Sequence, residues 1–319
     1  MKVNNGELMF VKSVKDGIPN RDPINDSDAR RLFPEEDGRI SLSDVSIKRD
    51  VRDFIISMYP DGGEINHVFV QPIINEKGKL LGRKSLAENI AKAVKKEKEA
   101  KADMKAVLIN HAFDVRTFGI VYSEKPKFNL TGPVQFSWAH SLHPVDTQYV
   151  QGTVTMPSKD VSDDGGGEGK TQGTIWTSYI VPFAVFAMTG VINARTAEHS
   201  QMTKDDQELL LRGLWQGTQY RHARGRGQQE ALFLVHVEYN DPFFRIGYLE
   251  ERIRLLPGAD VWRTDSERPS SIKEVTLDVS ELVGALEEYG KKIERCRVWK
   301  HPLLQLQGNV KNHIQEISW

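Results

Sequence analysis

Three basic side chains on one predicted helix are the residues best suited to bind an anion. Lys48, Arg49 and Arg52 follow a suitable N-cap, Ser43, and lie beside an apolar stripe at helical spacing made by Ile47, Val51, Phe54, Ile55 and Met58. Like charges four residues apart cost a helix about 0.2–0.5 kcal/mol, and a bound polyanion would remove that cost. The alternative is a surface role, in which Arg49 pairs with Asp53 and Lys48 is solvated.

A second basic cluster precedes the last predicted strand, in the segment RHARGRG from Arg221 to Gly227. Its arginines, Arg221, Arg224 and Arg226, are interspersed with glycines. Glycine lets the backbone come close to a phosphate, and the guanidinium group presents a fork that matches phosphate oxygens. The cluster therefore predicts a phosphate contact, with a flexible basic loop as the alternative.

Residues that could perform catalysis or hold a metal are few in this sequence. It contains no HExxH motif, no P-loop, no nucleophile elbow and a single cysteine, Cys296. His140 and His143 are three residues apart, without an evident third ligand nearby. Asp22 is the one carboxylate that merits a test for chemistry, although its Asp-Pro step is also typical of a turn. We expect no catalytic residue, no metal and no cofactor.

The patterns that must position these residues predict an α+β fold. Strands are predicted at Glu7 to Val14, His67 to Ile74, Pro133 to Leu142 and Ala231 to Tyr239, and a hairpin at Tyr149 to Met156 with Thr174 to Val181. Further helices are predicted from a capping box of Ser85 and Glu88 to about Lys101, after Thr203, and near the end through Leu282, Leu286, Tyr289, Ile293 and Cys296. Without insertions, the order is that of the ferredoxin-like or RNA-recognition-motif fold.

Composition places limits on the function. The 319 residues carry a net charge of −1, from 43 basic and 44 acidic residues, whereas dedicated nucleic-acid domains often have a pI above about 9. Composition therefore argues against nucleic acid unless the charges are segregated along the chain. The longest apolar run, Tyr179 to Ile192, is too short to span a bilayer, and the first ten residues lack an apolar signal-peptide core. A cytoplasmic location is expected.

The aromatic signature of RNA-recognition motifs does not occur where it would be expected, since Asp114 to Gly119 reads DVRTFG. If this fold binds RNA, we expect it to do so through the phosphate backbone and shape. The acidic, glycine-rich segment from Asp160 to Gly173 is typical of a mobile loop tip.

Several motifs, in this order, resemble the backbone subunit of type I CRISPR surveillance complexes, the Cas-seven family of the RAMP superfamily, particularly its type I-B and I-C branches. The matching stretches lie between about Glu7 and Leu255 and are PNRDP from Pro19, SDVSIKRDVRDF from Ser43, FDVRTFG from Phe113, GPVQ from Gly132, SLHPV from Ser141, and the segment from Thr203 to Trp215. The chain departs from the family at Arg21, which replaces a glycine that is usual in the first turn.

The resemblance implies a single RAMP-type domain over residues 1–319. Its palm would be a modified ferredoxin-like or RNA-recognition fold, with a finger-like insertion at about 75–130. A thumb would follow at about 144–177, with a flexible tip at 160–173, and a C-terminal helical segment at about 278–319. The residues expected to bind RNA are Asn20, Arg21, Lys48, Arg49, Arg52, Gln135, Arg221, Arg224 and Arg226, the last three being able to touch RNA or displaced DNA.

The resemblance also implies partners. These are CRISPR RNA, target DNA and other copies of the chain in a helical filament, together with a small RAMP cap subunit, a large subunit and a repeat-processing endoribonuclease. A helicase-nuclease would be recruited to the complex, and no membrane is expected. Two alternatives remain open. Related type III backbone subunits cut RNA with an aspartate in the first-strand loop, which would be Asp22 here, and a stand-alone RNA chaperone could use the same fold.

Overall fold

The computed structural model describes residues 2–20, 29–32, 37–153, 175–223, 225–264 and 266–310. The strands are β1 (Asn5–Gly17), β2 (Ser41–Leu42), β3 (Gly119–Tyr122), β4 (Phe128–Thr131), β5 (Val134–Phe136), β6 (Ala139–Ser141), β7 (Gln148–Thr153), β8 (Ile175–Ile192), β9 (Gln228–Tyr239), β10 (Arg254–Leu256), β11 (Thr276–Asp278), β12 (Ile293–Lys300) and β13 (Gln305–Gln307). The helices are α1 (Asp44–Met58), α2 (Arg83–Ala93), α3 (Glu97–His111), α4 (Phe113–Phe118), α5 (Ala194–Ser200), α6 (Lys204–Tyr220), α7 (Ala259–Trp262) and α8 (Ser280–Glu288).

The central sheet confirms the predicted fold class. Strand β1 lies between β8 and β9 and pairs antiparallel with both, while β5 and β6 pair with β8 on its other edge. Helices α1 and α6 follow β1 and β8, and pack against one face. This is the strand, helix, strand, strand, helix, strand arrangement of the ferredoxin-like fold. Strand β12 extends the sheet beyond β9.

Alternate side chains of β1 face two different cores, as the period of a strand requires. Leu8 and Phe10 pack with residues of α1 and α6, including Val51 and Leu214. On the opposite face, Met9 packs with residues of the C-terminal region, such as those of α8 and β12. In an ordinary RNA-recognition motif this second face carries the aromatic side chains that stack on bases. Here most of it is covered by the chain's own C-terminal region.

A third core lies outside the sheet, in residues 69–122. It contains Leu86, Ile90, Leu108, Val115 and Tyr122 from α2, α3, α4 and the β3–β4 hairpin, together with Phe69 from the segment before α2. The segment expected to form a finger therefore has its own packed interior.

Several local predictions are confirmed. Strands occur at Glu7 to Val14 and at Ala231 to Tyr239, and β7 pairs with the first part of β8 as the predicted hairpin. Thr203 caps α6 and forms a reciprocal capping box with Asp206. The loop tip at 160–173 lies outside the described residues.

The C-terminal helix prediction is wrong in its second half. The helix ends at Glu288, and Ile293 and Cys296 lie in β12, which pairs with β9. Apolar residues three or four apart fit one long helix as well as a short helix followed by a strand, so local spacing could not distinguish them. The pairing with a distant strand decides the outcome.

Two predictions near the third core are also wrong. The segment from His67 to Ile74 is not the predicted strand and makes only isolated β-bridges. The backbone amides of Phe69 and Val70 donate to the Asp114 carboxylate instead of to a neighbouring strand. The lysine-rich helix starts at Arg83, ahead of the expected Ser85 cap, and its sequence is divided between α2 and α3.

Within the described residues, no helix has the length and apolar character that a membrane crossing requires.

Candidate nucleic-acid interface

The three basic residues of α1 each pair with an acidic residue, but in different surroundings. Lys48 Nζ lies 2.9 Å from Asp44 Oδ2, and Arg49 Nε lies 2.6 Å from Asp53 Oδ1, with the Lys48 and Arg49 side chains 12% and 35% exposed. The Arg52 side chain is only 8% exposed and pairs with the carboxylate of Asp114, which is 1% exposed. The expectation that all three lie off the core is therefore wrong for Arg52.

The face of α1 towards β1 carries a buried carboxylate, Asp50, that three cations share. Lys12 Nζ lies 3.0 Å from Oδ2, while Arg221 and Arg226 donate to Oδ1 at 2.9 and 2.6 Å. Burial lowers the pKa of Lys12 to about 8, although the negative charge of Asp50 opposes the shift. Arg226 is itself 7% exposed. Of the two arginines, only Arg221 presents part of its side chain to solvent.

The Arg221–Gly227 loop is fixed against the end of β1. Ile18 N donates to the carbonyl of Gly225 at 2.8 Å. A Cβ on Gly17 would lie 2.2 Å from the backbone of the loop, so this close approach requires glycine. Asn20 Nδ2 in turn donates to Ser41 O, just before α1. The structure thus brings Asn20, the start of α1 and Arg221 to one end of the sheet. Arg21, Asp22 and Arg224 lie outside the described residues.

Gln135 is exposed on β5 and connects to the other flank of α1. Its Nε2 donates to Gly132 O at 3.0 Å and to Phe118 O at 3.4 Å. The Phe118 ring lies 5.6 Å from Lys48 Nζ and 5.3 Å from Arg52 Cζ, as in cation–π pairs. Gln135 and Lys48 are therefore linked through one aromatic residue.

The DVRTFG segment, which lacks the aromatic RNA-binding signature, connects α1 to the start of α6 through two buried ion pairs. Asp114 accepts a hydrogen bond from Arg52 Nε at 2.9 Å. Arg116 donates to both carboxylate oxygens of Asp206, the residue that caps α6 with Thr203. Sequence reasoning missed both pairs. Their only local signal is an aspartate and an arginine, two residues apart, among apolar residues.

The charges are segregated along the chain. Residues 75–130 contain 11 lysines and two arginines against five glutamates and two aspartates, a net charge of +6. Because the whole chain has a net charge of −1, the remaining residues carry −7. Ten of these lysines are exposed, and Lys96 is half-buried. The local segregation that a nucleic-acid role requires is therefore present.

Known proteins resemble this chain over most of its length. A family model for CRISPR-associated protein Cas7 matches residues 4–280. The chain belongs to the Cas7 family. A protein of Haloferax volcanii named CRISPR-associated protein Cas7 is 28% identical over 317 residues, covering 93% of this chain and 86% of that protein. This is the family that the sequence motifs resemble.

Solved structures share the fold of this Cas7 chain. One chain of a CRISPR RNA-guided surveillance complex, pre-nicking, matches with a TM-score of 0.54 at 13% identity, covering 96% of each chain. A chain of a CRISPR RNA-guided surveillance complex matches with a TM-score of 0.52 at 12% identity, covering 96% of this chain and 95% of the other. At such low identity these matches establish the fold only.

The two histidines of the Cas7 chain that were considered as metal ligands, His140 and His143, make hydrogen bonds and packing contacts within the protein. His143 stacks on Trp262, and its Nε2 accepts a hydrogen bond from Val185 N at 3.1 Å. Burial lowers the pKa of His143 to about 3, so its ring is neutral at physiological pH. His140 Nδ1 lies 2.9 Å from Ser41 Oγ. Among the residues that the structure describes, no three potential ligands cluster as a metal site would require.

Proposed function

We propose that this Cas7 chain is a non-catalytic, CRISPR RNA-binding backbone subunit of a type I surveillance complex, of the I-B or I-C kind, in the cytoplasm. Membership of the Cas7 family over residues 4–280 carries the proposal. The fold is compatible with it, because a sheet covered on most of both faces leaves the phosphate backbone and RNA shape as the features to recognise. Guide–target pairing, rather than protein side chains, then reads the sequence.

The proposed RNA contacts lie around α1. Of the expected RNA-binding cations that the structure describes, Lys48, Arg49 and Arg221 are partly exposed, and Asn20 and Gln135 flank them. Arg52 and Arg226 are buried in ion pairs and would act mainly by fixing α1 and the loop. Arg21 and Arg224 belong to the same proposed set.

The proposed partners follow from a filament of repeated subunits. Copies of the chain would stack along the guide, with residues 75–130 as the finger and about 144–177 as the thumb. A net charge of +6 in the finger segment and −7 elsewhere gives copies complementary surfaces. Target DNA, a cap subunit, a large subunit, a repeat-processing endoribonuclease and a recruited helicase-nuclease complete the proposed set.

Assembly on RNA gives a direct test. The purified chain should have a small mass without nucleic acid and a several-fold larger mass with a long single-stranded RNA at low salt, measured by light scattering. RNA recovered from native cells should be of uniform length with a repeat-derived end. A target RNA complementary to that guide should remain uncut in Mg²⁺. An unchanged mass at saturating RNA refutes the proposal, and regular cleavage would assign an enzyme instead.

The surface of α1 gives a residue-level test. We expect Lys48→Gln with Arg49→Gln to reduce the slope of log affinity against log salt by about 1.4 on single-stranded RNA, at about 0.7 per phosphate contact. The fold should survive, because the loss of two partly exposed pairs and one cation–π contact costs about 1–2 kcal/mol. A binding titration at several salt concentrations measures the slope.

The matched control for this test is Lys2→Gln with Arg195→Gln, which removes a lysine and an arginine that both pair with Glu198 at the surface. Its slope should equal that of the wild type. Equal slopes for both double variants would show that Lys48 and Arg49 serve only their ion pairs on α1 and do not neutralise phosphates. Arg52 is left unchanged, because its removal would disturb the core and obscure the binding result.

A further inference from the structure

One end of the second sheet face is not covered by the C-terminal region and forms an open cleft of about 610 Å³. Side chains of β1, β5 and β8 contribute to its lining, and the segment 241–248 after β9 forms the remaining wall. Volumes of about 300–1,000 Å³ are typical of sites for small organic groups. The residues that matter for its chemistry are Gln135, Ser137, Thr189, Phe243, Arg245 and Tyr248.

Two aromatic side chains of the wall are unusually exposed. Phe243 is 89% exposed and Tyr248 is 77% exposed, the two largest values among the exposed large hydrophobic residues of the described chain. Arg245 lies between them in sequence. Tyr248 also has a φ of 50°, in the left-handed region that bulky side chains seldom adopt. An exposed tyrosine in a backbone conformation that favours glycine indicates that its ring contacts a ligand.

The wall is held in place from beneath by a buried carboxylate. Glu7 is 5% exposed and accepts hydrogen bonds from Ile246 N at 2.9 Å, Gly247 N at 3.1 Å and the Tyr239 hydroxyl. Burial, with the hydrogen bond to Glu7, raises the pKa of the Tyr239 phenol, so the hydroxyl remains a donor. Phe243 and Tyr248 are therefore presented by a loop that is already ordered.

The floor of the cleft offers neutral donors and acceptors. The Ser137 and Thr189 hydroxyls lie 3.1 Å apart, and Gln135 is exposed beside them. Arg245 is the one cation in the lining and Glu7 its one carboxylate, already saturated by the loop. This chemistry suits a flat ring with hydrogen-bonding edges better than a free phosphate, which needs several cations, or a metal ion, which needs several acidic ligands.

We propose that this cleft binds an unpaired nucleobase of single-stranded RNA or DNA, stacked on Phe243 or Tyr248 and contacted at its edge by the polar floor. The inference deepens the proposed function and rests on it for the presence of nucleic acid. Aromatic stacking is a sequence-tolerant way to hold single strands. It would supplement the phosphate contacts around α1 without reading the guide.

The test uses the full chain and three oligonucleotide probes of equal length: oligouridine RNA, oligothymidine DNA and an abasic DNA backbone. Phe243→Ala with Tyr248→Gly should weaken binding of a base-carrying probe by about tenfold, within the range measured for removal of a stacking side chain. Binding of the abasic backbone should be unchanged. The RNA and DNA arms show which strand supplies the base. Leu303→Ala, which removes an exposed apolar side chain outside the cleft, is the control.

A second measurement separates stacking from folding. Because glycine relieves the left-handed conformation at position 248, Tyr248→Gly alone should leave the thermal midpoint unchanged or raise it while weakening binding. Iodouracil-substituted probes should crosslink to Phe243 or Tyr248. Equal affinity of wild type and double variant for both base-carrying probes overturns the cleft proposal while leaving the proposed function intact. If the double variant fails to assemble on long RNA while its affinity for the short probes is unchanged, the two aromatic residues form a protein contact instead, which also overturns the cleft proposal. Failure of the wild type to bind any probe refutes both proposals.

Discussion

Replacing Asp50 with asparagine should lower the free energy of unfolding by about 3–5 kcal/mol, because removing one partner of a buried ion pair leaves uncompensated buried charge. Asp50 is fully buried and is shared by Lys12, Arg221 and Arg226. An asparagine retains the shape but not the charge, so the two buried cations Lys12 and Arg226 lose their counterion. Urea denaturation measures the change, provided that the slope of the unfolding transition is the same in both proteins.

The pH dependence of this loss has a definite sign. Lys12 has a folded pKa of about 8, below its ordinary value of 10.5, so between these values the unfolded chain binds more protons and stability rises with pH. Without Asp50 the folded pKa falls further, and the rise begins at a lower pH. The deficit of Asp50→Asn should therefore be larger at pH 6 than at pH 8. Adding Lys12→Met should restore part of the lost stability.

Asp53→Asn is the matched control, since it makes the same chemical change one turn further along α1. Asp53 is more exposed than Asp50 and pairs with Arg49 and Arg221. Its loss should cost about 1 kcal/mol or less, as exposed pairs do. If Asp50→Asn were no more harmful than Asp53→Asn, the buried network would not be what holds the Arg221–Gly227 loop to the helix.

Asp114→Ala is expected to destabilise the chain by about 3–5 kcal/mol as well, for the same reason of an unpaired buried charge. Asp114 is fully buried and accepts hydrogen bonds from Arg52 Nε, Phe69 N and Val70 N. Its removal leaves one guanidinium and two backbone amides without their acceptor. The connection between α1 and the segment before the finger should then loosen, so amide exchange at Phe69 and Val70 should accelerate.

A double-mutant cycle separates the ion pair from the backbone contacts. Arg52→Met alone leaves Asp114 with two backbone donors, and the pair of substitutions removes both charges. The combined loss should be smaller than the sum of the two single losses, because contacting residues are not additive. Asp44→Ala, which breaks the less buried pair with Lys48 in the first turn of α1, is the control and should cost about 1 kcal/mol. Additive losses would contradict a coupled Arg52–Asp114 pair.

Local patterns in the sequence were sufficient to predict those helices and strands that are specified by residues close together in the chain. The strand from Glu7, the strand to Tyr239, helix α1 and the Thr203 cap all depend on periodicity or capping within a few residues. Motif order was sufficient for the family. Lys48 and Arg49 of α1 could also be named as candidate site residues, because helical spacing places them beside the apolar stripe. Whether those residues bind RNA remains a prediction.

Tertiary structure alone decided which charges are structural. The sequence predicts that Arg52 and Arg226 are available to bind an anion. In the structure they are buried in ion pairs with Asp114 and Asp50, which lie 62 and 176 residues away along the chain. The same distance in sequence hides the pairing of β12 with β9 and the closure of the second sheet face by the C-terminal region. Periodicity reports which side of an element is apolar. It does not report which distant element covers that side, and burial by that element determines whether a basic residue stabilises the fold or remains available to a ligand.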